Sequence, residues 1–206
     1  MPRGNGGPRG VAGLTIPRNN VGPYDDFFNG QILNPKWVLS GSSPGPTVSG
    51  GAVSFSSLFQ GRYITQNGLT IPSVFTIYAR LSAISTQAAM IGIFMLDSSG
   101  NGVGCSQYNG PSATYSWTVR AYAYNATGQS TPNATADHWL KLRRNASNFY
   151  VSTATHDATK TFDKQPYGAE ALALADASTI SQIGFGQMFT GGPFTATLEE
   201  FRALAV

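Results

Sequence analysis

The sequence is poor in the side chains that disulfide scaffolds and metal sites need. Cys105 is the only cysteine among 206 residues, so no internal disulfide can form. His138 and His156 are the only histidines, too few for a histidine-rich metal site. No run approaches the roughly 20 apolar residues of a membrane helix, and no apolar run follows Met1. We therefore expect a chain made in a cytoplasm, without signal peptide, metal, cofactor or membrane partner.

Charge is also scarce, and it is unevenly distributed. Charged residues make up 11% of the chain, where about a quarter is usual. Residues 1–23 carry Arg3, Arg9 and Arg18 and no acid, so the net charge of +3 lies entirely in this segment. Three arginines are too few to indicate nucleic acid as a partner. We interpret residues 1–23 as an extended arm that anchors a neutral body, residues 24–206, to another protein.

Glycine recurs in the arm at every third position, at Gly4, Gly7, Gly10 and Gly13. Only glycine fits the axis of a collagen triple helix, which requires this period and three chains. Four triplets would not hold a triple helix alone. Two interpretations stay open, a flexible Gly/Pro linker and a short collagen-like stem, and the second predicts a homotrimer.

From Tyr24 onward the pattern is that of short β-strands. Phe75, Ile77, Ala79 and Leu81 alternate with polar residues, as on a strand with one buried face. The apolar run 89–96 is typical of a central strand covered on both faces. Turn signals separate the remaining strand candidates, which are 115–123, the hairpin 139–152, 180–187 and 195–204. Residues 168–179 predict a short helical turn or a loop, so the fold expected is an all-β sandwich.

Several segments resemble, in order and spacing, the concanavalin A-like lectin/glucanase superfamily. The opening DDFFNG from Asp25, with the later LNPKW ending at Trp37, is similar to its first strand. WLKLRR from Trp139 and FYVS from Phe149 are similar to its late hairpin, and IGFG and ATLEEFR to its closing strands. The resemblance covers residues 24–206. It implies a jelly roll of two antiparallel sheets with adjacent first and last strands, as found in bacteriophage structural proteins.

Glucanases of this superfamily carry acidic residues on one strand, commonly as Glu-x-Asp-x-x-Glu, and retaining hydrolysis needs two carboxyls about 5 Å apart. The only glutamates here are Glu170, Glu199 and Glu200, and no Glu-x-Asp occurs. Adjacent strand residues point to opposite faces, so Glu199 and Glu200 are not expected to form a pair. We expect no catalytic residues and a chain that is not an enzyme.

One segment, Asp97–Gly102, is similar to the start of a calcium loop, but position twelve is Tyr108 instead of glutamate. A hairpin turn explains this segment better. The candidate carbohydrate-binding residues are tyrosines, because aromatic faces stack on sugars and also suit protein interfaces. They are Tyr63, Tyr78, Tyr108, Tyr122 and Tyr124. The alternative for these rings is cross-strand packing on a sheet face.

These observations predict a structural protein on the surface of a bacteriophage particle: a capsid decoration, knob or short fibre that also aids host adhesion. Its expected partners are further copies of itself in a trimer, a major capsid or other virion protein bound by the arm, and host-surface glycans. The alternative is a lectin-like receptor-binding module of a phage tail or of a bacterial polysaccharide-active protein.

Overall fold

A computed structural model of the chain describes residues 24–25, 28, 33–40, 46–57, 62–82, 90–99, 102–108, 116–121, 129–130, 137–146, 148–172, 179–187 and 194–205. Fourteen strands lie in these ranges: β1 (Val38–Ser40), β2 (Thr47–Ser49), β3 (Ala52–Ser57), β4 (Arg62–Gln66), β5 (Val74–Ser82), β6 (Met90–Leu96), β7 (Gly102–Tyr108), β8 (Ser116–Ala121), β9 (Gln129–Ser130), β10 (His138–Asn145), β11 (Asn148–Thr155), β12 (Ala171–Leu172), β13 (Gln182–Gln187) and β14 (Phe194–Ala205). A 3-10 turn, Phe162–Lys164, is the one helix in this part of the chain, and no described helix is long and apolar enough to span a membrane.

The strands form two seven-stranded antiparallel sheets. Sheet A has the order β12-β11-β10-β5-β14-β3-β2, and sheet B has the order β1-β4-β13-β6-β7-β8-β9. Alternate residues of both sheets meet in one apolar core, in which the side chains of Phe75, Phe149, Phe185 and Phe201 are fully buried. The prediction of an all-β sandwich of two antiparallel sheets is confirmed.

Most strand predictions are also confirmed in place. On β5, Phe75, Ile77, Ala79 and Leu81 all face the core. The apolar run near residue 90 becomes β6, which lies inside sheet B between β13 and β7. The predicted hairpin is β10 and β11, paired from His138–Thr155 to Asn145–Asn148, with Ala146 at a φ of 55° in its turn. The segment after Asp97 joins β6 to β7 as a hairpin turn, and the Ser99 amide donates to Asp97 Oδ1 at 2.8 Å.

One expectation needs correction. In the segment 168–179, Ala171–Leu172 is a short edge strand paired with Tyr150 and Val151, because the sheet edge of β11 offers its backbone partners. The adjacency of the first and last strands stays a prediction, because most of the opening segment 25–30 lies outside the described residues. Asp25 itself lies beside β14, where its Oδ1 accepts from the Ala203 amide at 2.8 Å. The predicted turns at 109–111 and 191–193 and the arm 1–23 lie outside the described residues.

Candidate functional site

A β-bulge on β14 determines the chemistry of the outer surface of sheet A. The pairing of β14 with β5 runs from Leu198 opposite Leu81 to Glu200 opposite Arg80, which leaves Glu199 as an extra residue. Leu198 and Phe201 are both fully buried in the core. The two glutamates between them therefore both lie on the outer surface. The expectation that Glu199 and Glu200 point to opposite faces is wrong, because a bulge suspends strand alternation.

The bulge completes a cluster of polar side chains that we call the polar face. Its members lie on the outer side of β3, β5 and β14: Ser54, Arg80, Ser82, Thr197, Glu199, Glu200 and Arg202. The Ser82 hydroxyl donates to Glu199 Oε1, and Glu199 Oε2 lies 3.7 Å from Arg80 Nη2. The side chains of Arg80 and Glu199 are 25% and 24% exposed. The centre of the polar face is therefore structured and still open to solvent.

Arg202 anchors one side of the polar face. Its Nε donates to Glu200 Oε1 at 2.7 Å, and its Nη1 donates to Asp25 Oδ2 at 2.9 Å. Its guanidinium carbon also lies 4.9 Å from the centre of the Phe162 ring. With two carboxylates and one aromatic ring around it, Arg202 holds Glu200 in a fixed position. Charge-assisted bonds of this kind are shorter and stronger than neutral ones.

Arg80 is bounded on its other side by His156 and Trp139. The Trp139 indole donates to His156 Nδ1 at 3.0 Å, and Arg80 Nη1 lies 3.1 Å from His156 Nε2. Both neighbours of the imidazole are donors, so neither stabilises a protonated ring. Burial, followed by the charge of Arg80, lowers the pKa of His156 below its usual value. The ring is therefore neutral at pH 7.

The segment 156–170, which we call the strap, runs back over sheet A beside the polar face. Its Phe162 and Tyr167 pack on the buried side chains of Tyr78 and Trp139. The buried Gln165 amide bonds the backbone of the strap at Asp157 and Lys160, at 3.0 and 2.8 Å. At the far end Glu170 pairs with Lys141 at 2.7 Å and with Arg143. The strap thus covers an apolar patch and leaves the polar face beside it accessible.

The two candidate tyrosines whose side chains the structure describes, Tyr63 and Tyr78, lie on different sheets. Tyr63 lies on β4 of sheet B, edge-on to Phe94 with ring centres 5.6 Å apart. Tyr78 is only 6% exposed under the strap, and burial raises the pKa of its hydroxyl to about 12. Phe162 and Tyr167 pack against the Tyr78 ring, so the structure favours the packing alternative for this residue. The side chain of Tyr108 and all of Tyr122 and Tyr124 lie outside the described part of the chain, as do Arg3, Gly4, Gly7, Arg9, Gly10, Gly13 and Arg18.

Sequence reasoning did not select the residues of the polar face. One signal was present: the buried positions Ala196 and Leu198 are followed by Phe201 and Ala203, so the spacing changes from two to three at the glutamates. That phase change marks a bulge. The contacts of Arg80 with His156 join residues 76 positions apart, and no local pattern predicts them. Among the described side chains there is no group of three or more His, Cys, Asp or Glu placed to hold a metal ion.

Comparison with known proteins supports the fold. No protein-family model matches the sequence, and no curated protein matches it. A GH43 protein of Bacillus licheniformis is similar with a TM-score of 0.67 and 14% identity, over 89% of this chain and 39% of that one. A laminarinase of Flavobacterium sp. UMI-01 is similar with a TM-score of 0.64 and 9% identity, over 88% of this chain and 99% of that one. The CBM2 module of the evolved Dit of Lactobacillus casei BL23 phage J-1 has a TM-score of 0.60 and 10% identity, over 87% of this chain and 93% of that one. The chain thus spans well under half of the GH43 protein. It has the concanavalin A-like jelly-roll fold.

This comparison corrects one expectation. The sequence predicted a chain that is not an enzyme, yet glycoside hydrolases are prominent among the similar structures. The fold is shared by enzymes and by carbohydrate-binding modules, and it does not exclude either. The exclusion rested on the missing Glu-x-Asp and on Glu199 and Glu200 facing apart, and the bulge removes the second of these arguments.

Proposed function

We propose that this chain binds a carbohydrate across the polar face of sheet A. The observation that carries the proposal is the bulge at Glu199. It sets two carboxylates, a guanidinium and a row of hydroxyls side by side on a partly exposed sheet surface. Laminarinase and the phage CBM2 module share the fold over nearly their whole lengths, which makes a sugar the first ligand to test.

The chemistry of the polar face suits sugar hydroxyls. A sugar hydroxyl both donates and accepts, so it can bond to a guanidinium and to a carboxylate at the same time. Glu199 offers acceptor oxygens and the Arg80 guanidinium offers donors, and both side chains are partly exposed. Hydrogen bonds to charged groups contribute about 1.5–3 kcal/mol each. Two or three such bonds would therefore determine which sugar is held.

The experiment is a glycan array with the full-length protein, followed by calorimetry on the best ligand. We expect Glu199→Gln to weaken binding at least tenfold, since it replaces a charged acceptor in the polar face. The matched control is Glu170→Gln, which alters an ion-paired glutamate at the other end of sheet A and should change affinity less than twofold. Binding that survives Glu199→Gln but is lost in Tyr63→Ala would place the ligand on sheet B and contradict the proposal.

The same samples test catalysis. Oligosaccharides that bind are incubated with the protein and analysed for new reducing ends. Release of product by the wild type, abolished by Glu199→Gln and kept by Glu170→Gln, would make the polar face an active site as well as a binding site. If the bound oligosaccharide stays intact, the function of the polar face is binding without catalysis.

A second proposal concerns the particle to which the chain belongs, and the similarity to the phage CBM2 module favours it. We infer that the chain is a surface component of a bacteriophage particle, with residues 1–23 bound to a capsid or other virion protein. The charge of the arm resides in Arg3, Arg9 and Arg18. Changing all three to alanine should reduce incorporation into particles several-fold, as measured by mass spectrometry of purified virions. Unchanged incorporation, with the same thermal unfolding as the wild type, would refute the role of the arm.

A further inference from the structure

The polar face contains an open gap between its central charges. Arg80 Nη2 lies 3.7 Å from Glu199 Oε2, which is beyond the distance of a hydrogen bond. The other carboxylate oxygen of Glu199 accepts from the Ser82 hydroxyl. Arg80 and Glu199 are both partly exposed. A ligand hydroxyl placed over this gap can therefore accept from the guanidinium and donate to the carboxylate.

His156 is the other neighbour of the Arg80 guanidinium. Its Nε2 lies 3.1 Å from Arg80 Nη1, so the two terminal nitrogens of Arg80 face different partners. The imidazole is fixed in place from two sides. The His156 amide donates to the Asp137 carbonyl oxygen at 2.9 Å, and the Trp139 indole donates to Nδ1 at 3.0 Å. The position of Arg80 relative to Glu199 thus depends on a fixed imidazole.

A proton on His156 would disturb this arrangement. A neutral imidazole has one acceptor nitrogen, whereas the protonated ring has two N–H donors and no acceptor. Arg80 and Trp139 both present N–H groups to the ring. The protonated ring would therefore place donors against donors, and a positive charge against the guanidinium of Arg80. Because His156 is partly exposed, solvent can supply the proton.

The charged groups around the ring do not offset this repulsion. Burial, followed by the charge of Arg80, outweighs the attraction of three carboxylates and lowers the pKa of His156 below its usual 6.5. One of these carboxylates, Glu200, is already bonded by Arg202 Nε at 2.7 Å. A movement of Arg80 away from the ring relieves the repulsion. The groups that face the ring are Trp139 on β10, Arg80 on β5, Glu200 on β14, and Asp137 and Asp157 on the connecting segments.

We propose that His156 is the positioning residue of the polar face, and that its protonation moves Arg80 onto Glu199 and closes the gap to the ligand. The movement is short. Charge-assisted N–H···O bonds are about 2.8 Å long, so the two groups need to approach by only about 1 Å from their separation of 3.7 Å. The polar face then binds a sugar at neutral pH and releases it in mild acid. This inference rests on the proposed sugar-binding function and adds a control of the same site.

A glycan array probed with labelled full-length protein at pH 7 and at pH 5 tests the switch. For the glycans bound at pH 7, we expect the wild-type signal to fall at least threefold at pH 5. His156→Gln keeps an acceptor that does not titrate, so it should bind more weakly than wild type at pH 7 and equally at both pH values. Carboxyl groups ordinarily titrate near about pH 4, and His138 is the only other histidine. His138→Gln is therefore the control and should keep the wild-type loss.

The movement of Arg80 can be measured without any sugar by NMR. In the full-length protein the Arg80 Nε–H signal should shift with the same midpoint as the His156 ring, and His156→Gln should abolish the shift. An Arg80 signal that stays constant through that midpoint would overturn the proposal, as would sugar binding that declines equally in wild type and His156→Gln. An Arg80 signal that follows His156 in a protein that binds no sugar would support the switch and refute the sugar-binding function alone.

Discussion

The two sheets share one core, but their outer surfaces differ in kind. The described outer side of sheet A is rich in ion pairs and hydroxyls, from the polar face to the Glu170 cluster. In sheet B the central positions on the outer side are glycines and aromatic rings, with Phe94 lying across Gly184 and Tyr63 standing edge-on against it. An added Cβ on Gly184 would lie 2.4 Å from that ring.

The outer surfaces of the two sheets are therefore stabilised in different ways. Around Gly184 the surface of sheet B is filled by packing, so its residues are constrained by shape. The polar face of sheet A stands beside a covered apolar cluster, so its residues are constrained by hydrogen bonds and remain partly exposed. A hydrogen-bonded, partly exposed surface such as the polar face tolerates substitution without unfolding, so it can more readily acquire a ligand-binding site. The predictions below test that contrast in order of expected effect.

The largest effect is expected under the strap. Trp139 is 2% exposed and contacts Phe162, and its indole donates to His156. Trp139→Ala should cost about 3–5 kcal/mol of unfolding free energy, the usual range for a buried tryptophan. Urea unfolding followed by circular dichroism measures this loss. Tyr150→Ala, a partly exposed ring on the same side of sheet A, is the control and should cost far less. Equal losses would mean that the strap does not shield a local core.

The packed surface of sheet B gives the second effect. In Gly184→Ala the new Cβ would meet the Ile64 carbonyl oxygen and the Phe94 ring, both at 2.4 Å. Overpacking of this kind costs about 1–3 kcal/mol. Thr197→Ala, in the polar face of sheet A, should stay within about 0.5 kcal/mol. If both changes cost the same in urea unfolding, the contrast between a packed and a hydrogen-bonded surface is false.

The fold could be predicted from the sequence because strands and turns leave regular local patterns of residues. Alternation located β5, a continuous apolar run located β6, and turn residues located the hairpin of β10 and β11. The polar face could not be predicted in this way, because its residues are far apart in the sequence. Glu199 and Arg80 are 119 positions apart and meet only through the pairing of β14 with β5. Alternation shows on which side of β5 Tyr78 lies, but it could not show that residues 162–167 of the strap cover that side.

The third effect is a pH dependence at Glu170. The hydrogen bond from Arg143 and then the contact with Lys141 hold the pKa of Glu170 at about 2, below its usual 4.5. A lowered folded-state pKa adds stability that is full above pH 4.5 and is lost as the pH falls through 2. Since the Glu170 side chain is partly exposed and screened by solvent, we expect about 1 kcal/mol. Unfolding free energies of wild type and Glu170→Gln should differ by this amount at pH 7 and converge near pH 2. A difference that is constant with pH would exclude the ion pair as its cause.

The smallest effect is also lost as the pH falls, but in a window nearer to neutral pH, and it tests the polar face directly. Burial and Arg80 lower the pKa of His156 in the folded state, against the attraction of Asp137, Glu200 and Asp157. As the pH falls, the unfolded chain therefore takes up the proton of His156 at a higher pH than the folded chain does. The stabilisation from a neutral ring is full above pH 6.5 and declines as the pH falls through the lowered pKa. Thermal unfolding of wild type should show a small loss between pH 7 and pH 5 that His156→Gln lacks. His138→Gln serves as the control, because His138 is not part of the Trp139–His156–Arg80 contacts. A wild type and a His156→Gln variant with parallel pH profiles would show that Arg80 does not face a neutral imidazole, and the donor set assigned to the polar face would have to be revised.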